Sequence, residues 1–372
     1  MDDEARATGG LDPMHARWPR RRSPWGRRSA RGQPEDAGPA AARQPPTYAA
    51  LDLGTNNCRL LVARPALESF RVVDAFSRII RLGEGVSVTG RITDAAIERA
   101  MEALAICRDK MRNRGVSRAR LIATEACRSA VNGPAFVTQV RETLGLDLQI
   151  IDRETEARLA ATGCTPLVDP VVHGAILFDI GGGSTELVTM QTAPGQSGPP
   201  LPRIEAWTSL PVGVVTLAER HGGVHVTPAV FEAMIEDVAQ HLRDFAHANN
   251  AAAHAGTMHL LGTSGTVTTI AGVHLGLRRY DRKQVDGCWM EEGQITSVVE
   301  QLLAMSYEER VANPCIGAER ADLVLAGCAI LEAIRRAFPC KRLRVADRGL
   351  REGMLVEMMR KDAVWSRAAG PR

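Results

Sequence analysis

Two short runs hold the residues whose types and spacing could do chemistry. One is Phe178-Asp179-Ile180-Gly181-Gly182-Gly183-Ser184-Thr185-Glu186-Leu187-Val188. Three successive glycines, with no Cβ to shield them, let backbone N–H groups converge on one concavity, a nest for an anion. The carboxylates of Asp179 and Glu186 flank that nest. A carboxylate at the end of the first strand suits a hard cation, and cation and nest belong together where phosphate meets a divalent metal. The other run is Tyr48-Ala49-Ala50-Leu51-Asp52-Leu53-Gly54-Thr55-Asn56-Asn57-Cys58-Arg59-Leu60-Leu61-Val62, with the same order of strand, Asp, Gly-Thr turn and strand. One glycine-rich turn between strands can be only a turn. Two that match imply a duplicated unit, each copy offering a phosphate loop to a shared cleft. Neither Gly-x-Gly-x-x-Gly nor Gly-Lys-Ser/Thr occurs here, so a Rossmann or Walker-type site fits worse.

The elements that must position these loops can be read around them. The apolar runs on either side of each glycine turn predict β-hairpins. Phe70–Phe76 predicts a further strand, and 77–85 a polar turn. Thr93 is an acceptable N-cap for an amphipathic helix to about Arg114, with Ile97, Met101, Leu104 and Met111 on its apolar face. Arg120–Thr124 and Leu148–Ile151 predict strands ending in the polar clusters Glu125–Arg128 and Asp152–Arg158, where open α/β sheets place ligands. In the second half, helices are expected near 214–217, over 231–246, 295–304 and 321–337. Strands are expected at 258–263 and 343–347, and the first leads into Gly262-Thr263-Ser264-Gly265-Thr266. A closing helix follows Arg348.

Composition bounds the function. The chain has 372 residues, enough for two domains with full cores, and its 45% hydrophobic content is ordinary for a globular protein. No apolar run is long enough to span a bilayer. Eight cysteines lack Cys-x-x-Cys pairing, which points to a reduced, cytoplasmic chain with buried thiols and not to a disulfide or zinc scaffold. Residues 1–46 carry nine Arg against six Asp or Glu, whereas the remainder has 37 basic and 37 acidic side chains. The folded part is therefore no general nucleic-acid binder, and no specific nucleic-acid partner is expected. The Arg/Pro-rich 1–46 segment is too poor in aliphatic residues to order itself and is expected to be a disordered tail. A polyanion-binding segment or a targeting remnant are the other readings of it.

The Asp52–Asn56 turn, the Asp179–Glu186 turn, Gly262–Thr266 and Asp347-Arg348-Gly349-Leu350-Arg351-Glu352-Gly353 together resemble the exopolyphosphatase/guanosine pentaphosphate phosphatase family, over about residues 47–360. The first turn has Gly-Thr-Asn where that family usually has Gly-Ser-Asn. The chain is similar to short, two-domain members, since no added helical region follows Met359. The resemblance implies an α/β fold of two ribonuclease-H-like (actin-like ATPase) domains around a cleft, at 47–172 and 173–345, with a closing helix in 346–372. It implies hydrolysis of a terminal phosphoanhydride with Mg²⁺ as cofactor. The substrate would be inorganic polyphosphate, or alternatively guanosine pentaphosphate. A homodimer is one arrangement the resemblance leaves open.

Residue by residue, Glu156 matches the family glutamate that activates water, with Glu154 two positions away as the other choice. Glu186 matches a second glutamate that positions water or metal, and Arg128 an arginine facing the cleft. Gly54, Thr55, Asn56, Arg59, Gly182, Gly183, Ser184 and Thr185 would bind phosphate, and Asp52 and Asp179 would hold Mg²⁺. Glu125 is expected to support Arg128. Two other classes fit the same motifs, namely a sugar- or acetate-type kinase and a non-catalytic alarmone or polyphosphate sensor. Glu156 and Glu186 argue against the kinase.

Overall fold

In the computed structural model, which describes residues 46–193, 197–249 and 257–365, the strands form two sheets. The tail expected to be disordered falls almost wholly outside the described residues. The first sheet holds β1 (Tyr48–Leu53), β2 (Asn57–Pro65), β3 (Phe70–Ile79), β4 (Arg118–Ala123) and β5 (Gln149–Ile150), in the order β3-β2-β1-β4-β5. The second holds β6 (Gly174–Ile180), β7 (Thr185–Thr192), β8 (Pro202–Leu210), β9 (Met258–Thr263), β10 (Trp289–Glu291) and β11 (Arg342–Ala346), in the order β10-β11-β9-β6-β7-β8.

The second sheet repeats the first. In each, three antiparallel strands (β3-β2-β1 and β8-β7-β6) continue into two parallel ones (β4, β5 and β9, β11), and β10 adds an antiparallel edge. The register repeats as well. Asp52 lies opposite Arg59 in the first hairpin, and Asp179 opposite Glu186 in the second. The outer pairing slips after Val62 in one sheet and after Thr189 in the other, three residues beyond Arg59 and Glu186 respectively. An irregularity kept at the same offset is the mark of one unit used twice, which the two matching turns had suggested. Sequence reading missed β8, β10 and several short helices. In β8 exposed and half-buried residues alternate until Leu210, so its apolar signal is thin.

Two helices join the halves. Arg153–Cys164 follows β5 but buries Ala157, Ala160, Ala161 and Cys164 against Ala175, Leu177 and Val188 of the second sheet. Leu350–Lys361 follows β11 but buries Leu350, Met354, Leu355 and Met359 against Tyr48, Ala50 and Leu61 of the first. They cross each other where neither has a side chain: a Cβ on Gly163 would lie 1.9 Å from Gly349 O, and one on Gly353 2.0 Å from Leu159 O. A boundary at residue 172 therefore falls between the first of these helices and the sheet that most of its buried side chains cover, while its Leu159 packs on the first sheet. Separate apolar cores fill the other face of each sheet: the Asp94–Asn113 helix packs on the first, and Pro228–Ala248 and Val324–Ala337 lie within the core of the second. Thr93 caps its helix as expected, accepting from Ala96 N–H at 3.3 Å.

Candidate active site

The strand ends of both sheets open on one cavity of about 660 Å³. Its walls carry Asp52, Gly54, Thr55, Asn56 and Arg59 from the first hairpin, and Asp179, Gly182, Gly183, Ser184 and Glu186 from the second. Glu125 and Glu156 reach it from the ends of β4 and β5. The two turns meet. A Cβ on Gly182 would lie 2.8 Å from Thr55 Cβ, and one on Gly183 3.1 Å from Thr55 Oγ1, so Thr55 is seated against glycines because they lack side chains.

Each turn is closed by one backbone hydrogen bond, Gly54 N–H to Asn57 O and Gly181 N–H to Ser184 O, both 2.9 Å. Among the described residues the N–H groups of Thr55, Asn56, Gly182 and Gly183 donate to nothing. Orphan amides facing a cavity are an anion site by construction. The buried Asn56 Oδ1 and Asn57 Oδ1 also lack partners there. Gly54 was expected to offer its amide to phosphate, but that amide is used in closing the turn.

Two other expected residues stand elsewhere. Thr185 is fully buried and its hydroxyl donates to Val212 O at 2.7 Å, so it braces the turn from behind and is not on the cavity wall. Arg128 is not on the wall either. It donates to Glu125 Oε2 through Nε at 2.9 Å, to Ile151 O at 2.7 Å and to Glu156 Oε2 at 3.0 Å. Ser129 and Arg153 hold the other side of Glu125, at 2.5 and 2.9 Å from Oε1. Glu125 is thus the support for Arg128 that the sequence suggested, and Arg128 fixes Glu156. Ser184 lines the cavity, yet its hydroxyl donates to Glu186 Oε1 at 2.8 Å, as does that of Ser209. Between the two candidate bases, Glu156 faces the cavity whereas Glu154 is exposed at the surface.

The carboxylates disturb one another. Burial, reinforced by the charge of Asp52, pushes Asp179 up to about 6. Burial and Asp179 push Glu186 up to about 7, against the hydrogen bonds from Ser184 and Ser209. Burial and Glu186 hold Glu156 well above the usual carboxylate range, although Arg128 opposes them. Burial also raises Asp52, with Arg59 and Arg351 pulling the other way. No hydrogen-bond donor serves Asp52 or Asp179 among the described residues. Two undonated carboxylates beside orphan amides are the donor set that fits Mg²⁺, which is held by one or two carboxylates together with waters and substrate phosphates.

Arg351, Arg320 and Ser264 also stand on the wall and were not singled out from sequence as site residues. The guanidinium groups of Arg351, in the second position of its helix, and of Arg320 make no hydrogen bond among the described residues, and burial depresses the Arg351 pKa. Ser264, in the third glycine-rich turn, has φ 100° and ψ 176°, a region used almost only by glycine, and its buried Oγ has no partner. Arg351 lies in the Asp347–Gly353 motif, but nothing in the sequence ranks it above its charged neighbours. Ser264 has no local signal, because strain is a tertiary property.

Two sheets of repeated topology, joined by crossing helices and closing on a cleft of amides and carboxylates, define the actin-like ATPase fold. The chain matches the Ppx/GppA phosphatase family over residues 61–362 and belongs to it. It is 27% identical to the Guanosine-5'-triphosphate,3'-diphosphate pyrophosphatase of Photobacterium profundum, over 85% of this chain and 60% of that protein, so it spans about three fifths of that relative's length. The crystal structure of the Aquifex aeolicus Ppx/GppA family member is similar at 27% identity and TM-score 0.66, covering 85% of this chain and 98% of that one. An exopolyphosphatase-like protein is similar at 29% identity and TM-score 0.74, over 85% and 99%.

Proposed function

We propose that the chain is a cytoplasmic hydrolase that cleaves the terminal phosphoanhydride of inorganic polyphosphate and releases orthophosphate. The observation that carries this reading is the meeting of two turns with unsatisfied amides across one cavity that has Glu156 on its wall. The end phosphoryl group would lie between the turns, its oxygens taking the N–H groups of Thr55, Asn56, Gly182 and Gly183. Arg59 and Arg351 would neutralise charge on the phosphates behind it. Water lying against Glu156 Oε1 would lose its proton to that carboxylate, whose other oxygen is held by Arg128. A raised pKa makes Glu156 a stronger base once it is ionised. Glu186, locked by Ser184 and Ser209, would orient the same water or an ion's hydration shell. Bound by Asp52 and Asp179, Mg²⁺ would neutralise the charge growing on the phosphoryl oxygens. As the water oxygen bonds to the terminal phosphorus, the bond to the bridging oxygen breaks, and the shortened polyphosphate leaves with that oxygen as a phosphate anion that needs no proton donor.

A second reading is removal of the 5′ γ-phosphate of guanosine pentaphosphate. The name of the curated relative favours it, and so does the uncharged part of the cavity wall at Leu61, Ala75, Ile79, Pro314 and Ile316, which a nucleoside could cover. Orthophosphate release from polyphosphates of several lengths and from guanosine pentaphosphate, with and without Mg²⁺, separates the two. Polyphosphate turnover that needs Mg²⁺ is expected. Turnover of the nucleotide alone would move the assignment to the second reading, and turnover of neither would leave a sensor.

A further inference from the structure

Each phosphate turn is backed by a second element, and the two backing elements touch. Behind the first turn runs the segment 80–87. Ile80 and Arg81 N–H donate to Asn56 O at 2.9 and 3.1 Å, and Gly83 N–H to Thr55 O at 2.8 Å. Behind the second runs the helix Val214–His221, whose Val214 and Val215 N–H donate to Gly181 O and Gly182 O at 3.0 and 2.8 Å. Glu219 of that helix accepts from Gly85 N–H at 2.9 Å and pairs with the Ser87 hydroxyl.

Arg81 makes a second crossing, to the segment 319–322, which Arg310 ties through Ala321 O and Gly223 O to the end of the Val214–His221 helix. Its guanidinium forks onto Asp322 at 3.0 and 3.1 Å and reaches Glu319 O at 3.2 Å. Its backbone sits at φ 46°, the left-handed region that a non-glycine residue rarely adopts. Both ends of the crossing are anchored. Arg99 holds the Ile80 and Arg81 carbonyls at 2.8 and 3.3 Å, and Arg310 holds Ala321 O at 3.0 Å. Neither Arg81 nor Asp322 lines the cavity, but Arg320 and Leu323 on either side of Asp322 do.

We propose that the Arg81–Asp322 fork, assisted by Glu219 on Gly85 and Ser87, is a brace that sets the separation of the two phosphate turns. Arg81 and Asp322 are thus positioning residues for cleavage of the anhydride. The inference rests on the hydrolytic reading above. Because the two side chains are 33% and 22% exposed, solvent weakens the pair. Its loss should change the ratio of closed to open cleft by about threefold to tenfold. Substrate re-closes the cleft at saturation, so the effect falls on KM.

The test is phosphate release by R81A, D322A and the double variant, with thermal unfolding as a check on folding. Each single change should raise KM about threefold to tenfold and leave kcat within about twofold. The double variant should be no worse than the singles, since the second change removes nothing further. The charge exchange R81D/D322R, with Asp tolerated at φ 46°, should recover most of the loss. Unchanged KM in both single variants, or KM effects that multiply in the double, would overturn the brace. A merely structural pair would lower kcat with the folded fraction and leave KM alone. If the unmodified protein turns over neither substrate, the hydrolytic reading fails and solution scattering of the ligand-free proteins decides separately. A larger radius of gyration for R81A supports the brace, and superposable curves overturn it.

Discussion

Replacing Gly182 by alanine tests whether the two turns work in contact. The added methyl would lie 2.8 Å from Thr55 Cβ, 3.0 Å from Thr55 Cγ2 and 3.3 Å from Asn56 N. Carbon atoms rest about 3.5–4.0 Å apart, so the turns must separate by about 0.5–1 Å. Gly182 does not have positive φ, and alanine brings no backbone strain of its own. The whole effect should therefore appear in the chemistry. A displacement of about 1 Å between reacting groups costs about 100-fold, and kcat/KM should fall about tenfold to 100-fold while the unfolding temperature holds. Thr55→Gly removes the atoms that collide, so G182A made in a T55G background should cost far less than G182A alone. Steady-state phosphate release on the four proteins measures this coupling. Equal losses in the two backgrounds, or no loss from G182A, would refute the contact.

Other expectations follow from the same geometry. Arg128→Ala should lower kcat about tenfold or more and move the acidic limb of the rate–pH profile upward, because Arg128 opposes the elevation of the Glu156 pKa; a profile fixed in pH would contradict this. Glu186 and Asp179 are pushed up to about 7 and about 6, so the folded state binds more protons than the unfolded one between their ordinary values and these. Metal-free protein should accordingly lose stability as pH rises from about 4.5 to 7, by on the order of 3 kcal/mol for Glu186, and Mg²⁺ should suppress the loss. Chemical unfolding from pH 5 to 8 with and without Mg²⁺ reads it, and a flat or rising metal-free curve would count against it. Ser264→Gly should relieve strain of about 1–3 kcal/mol and raise the unfolding temperature. If its unpartnered hydroxyl meets substrate, KM rises in the same variant.

The sequence made the hairpins legible because turn chemistry is local. Asp-x-Gly between apolar runs specifies a strand, a tight turn and a strand without reference to the rest of the chain, and both copies formed with the same register. Duplication was readable for the same reason, and it carried with it the shared cleft. What was not readable depends on contacts between distant residues. Thr185 looks like Ser184 in the sequence, but Val212, 27 positions on, takes its hydroxyl. Arg128 was expected to face the cleft, and only Glu125, Glu156 and the Ile151 carbonyl show that it serves another side chain. The crossing of the Arg153–Cys164 and Leu350–Lys361 helices rests on Gly163 and Gly353, glycines that periodicity treats as defects. Arg320 lies just ahead of the helix expected over 321–337, in a stretch with no motif, so nothing local marked its place on the cavity wall.

The most direct measurement is single-turnover phosphate release by Glu156→Gln at saturating substrate and Mg²⁺, with substrate affinity measured by calorimetry on the same protein. Glutamine keeps the shape and the contact with Arg128 but cannot accept the proton from water. The rate should fall about 10²- to 10⁴-fold with affinity held within a few-fold. A rate within tenfold of the unmodified protein would mean that another group takes the proton and that Glu156 is not the base.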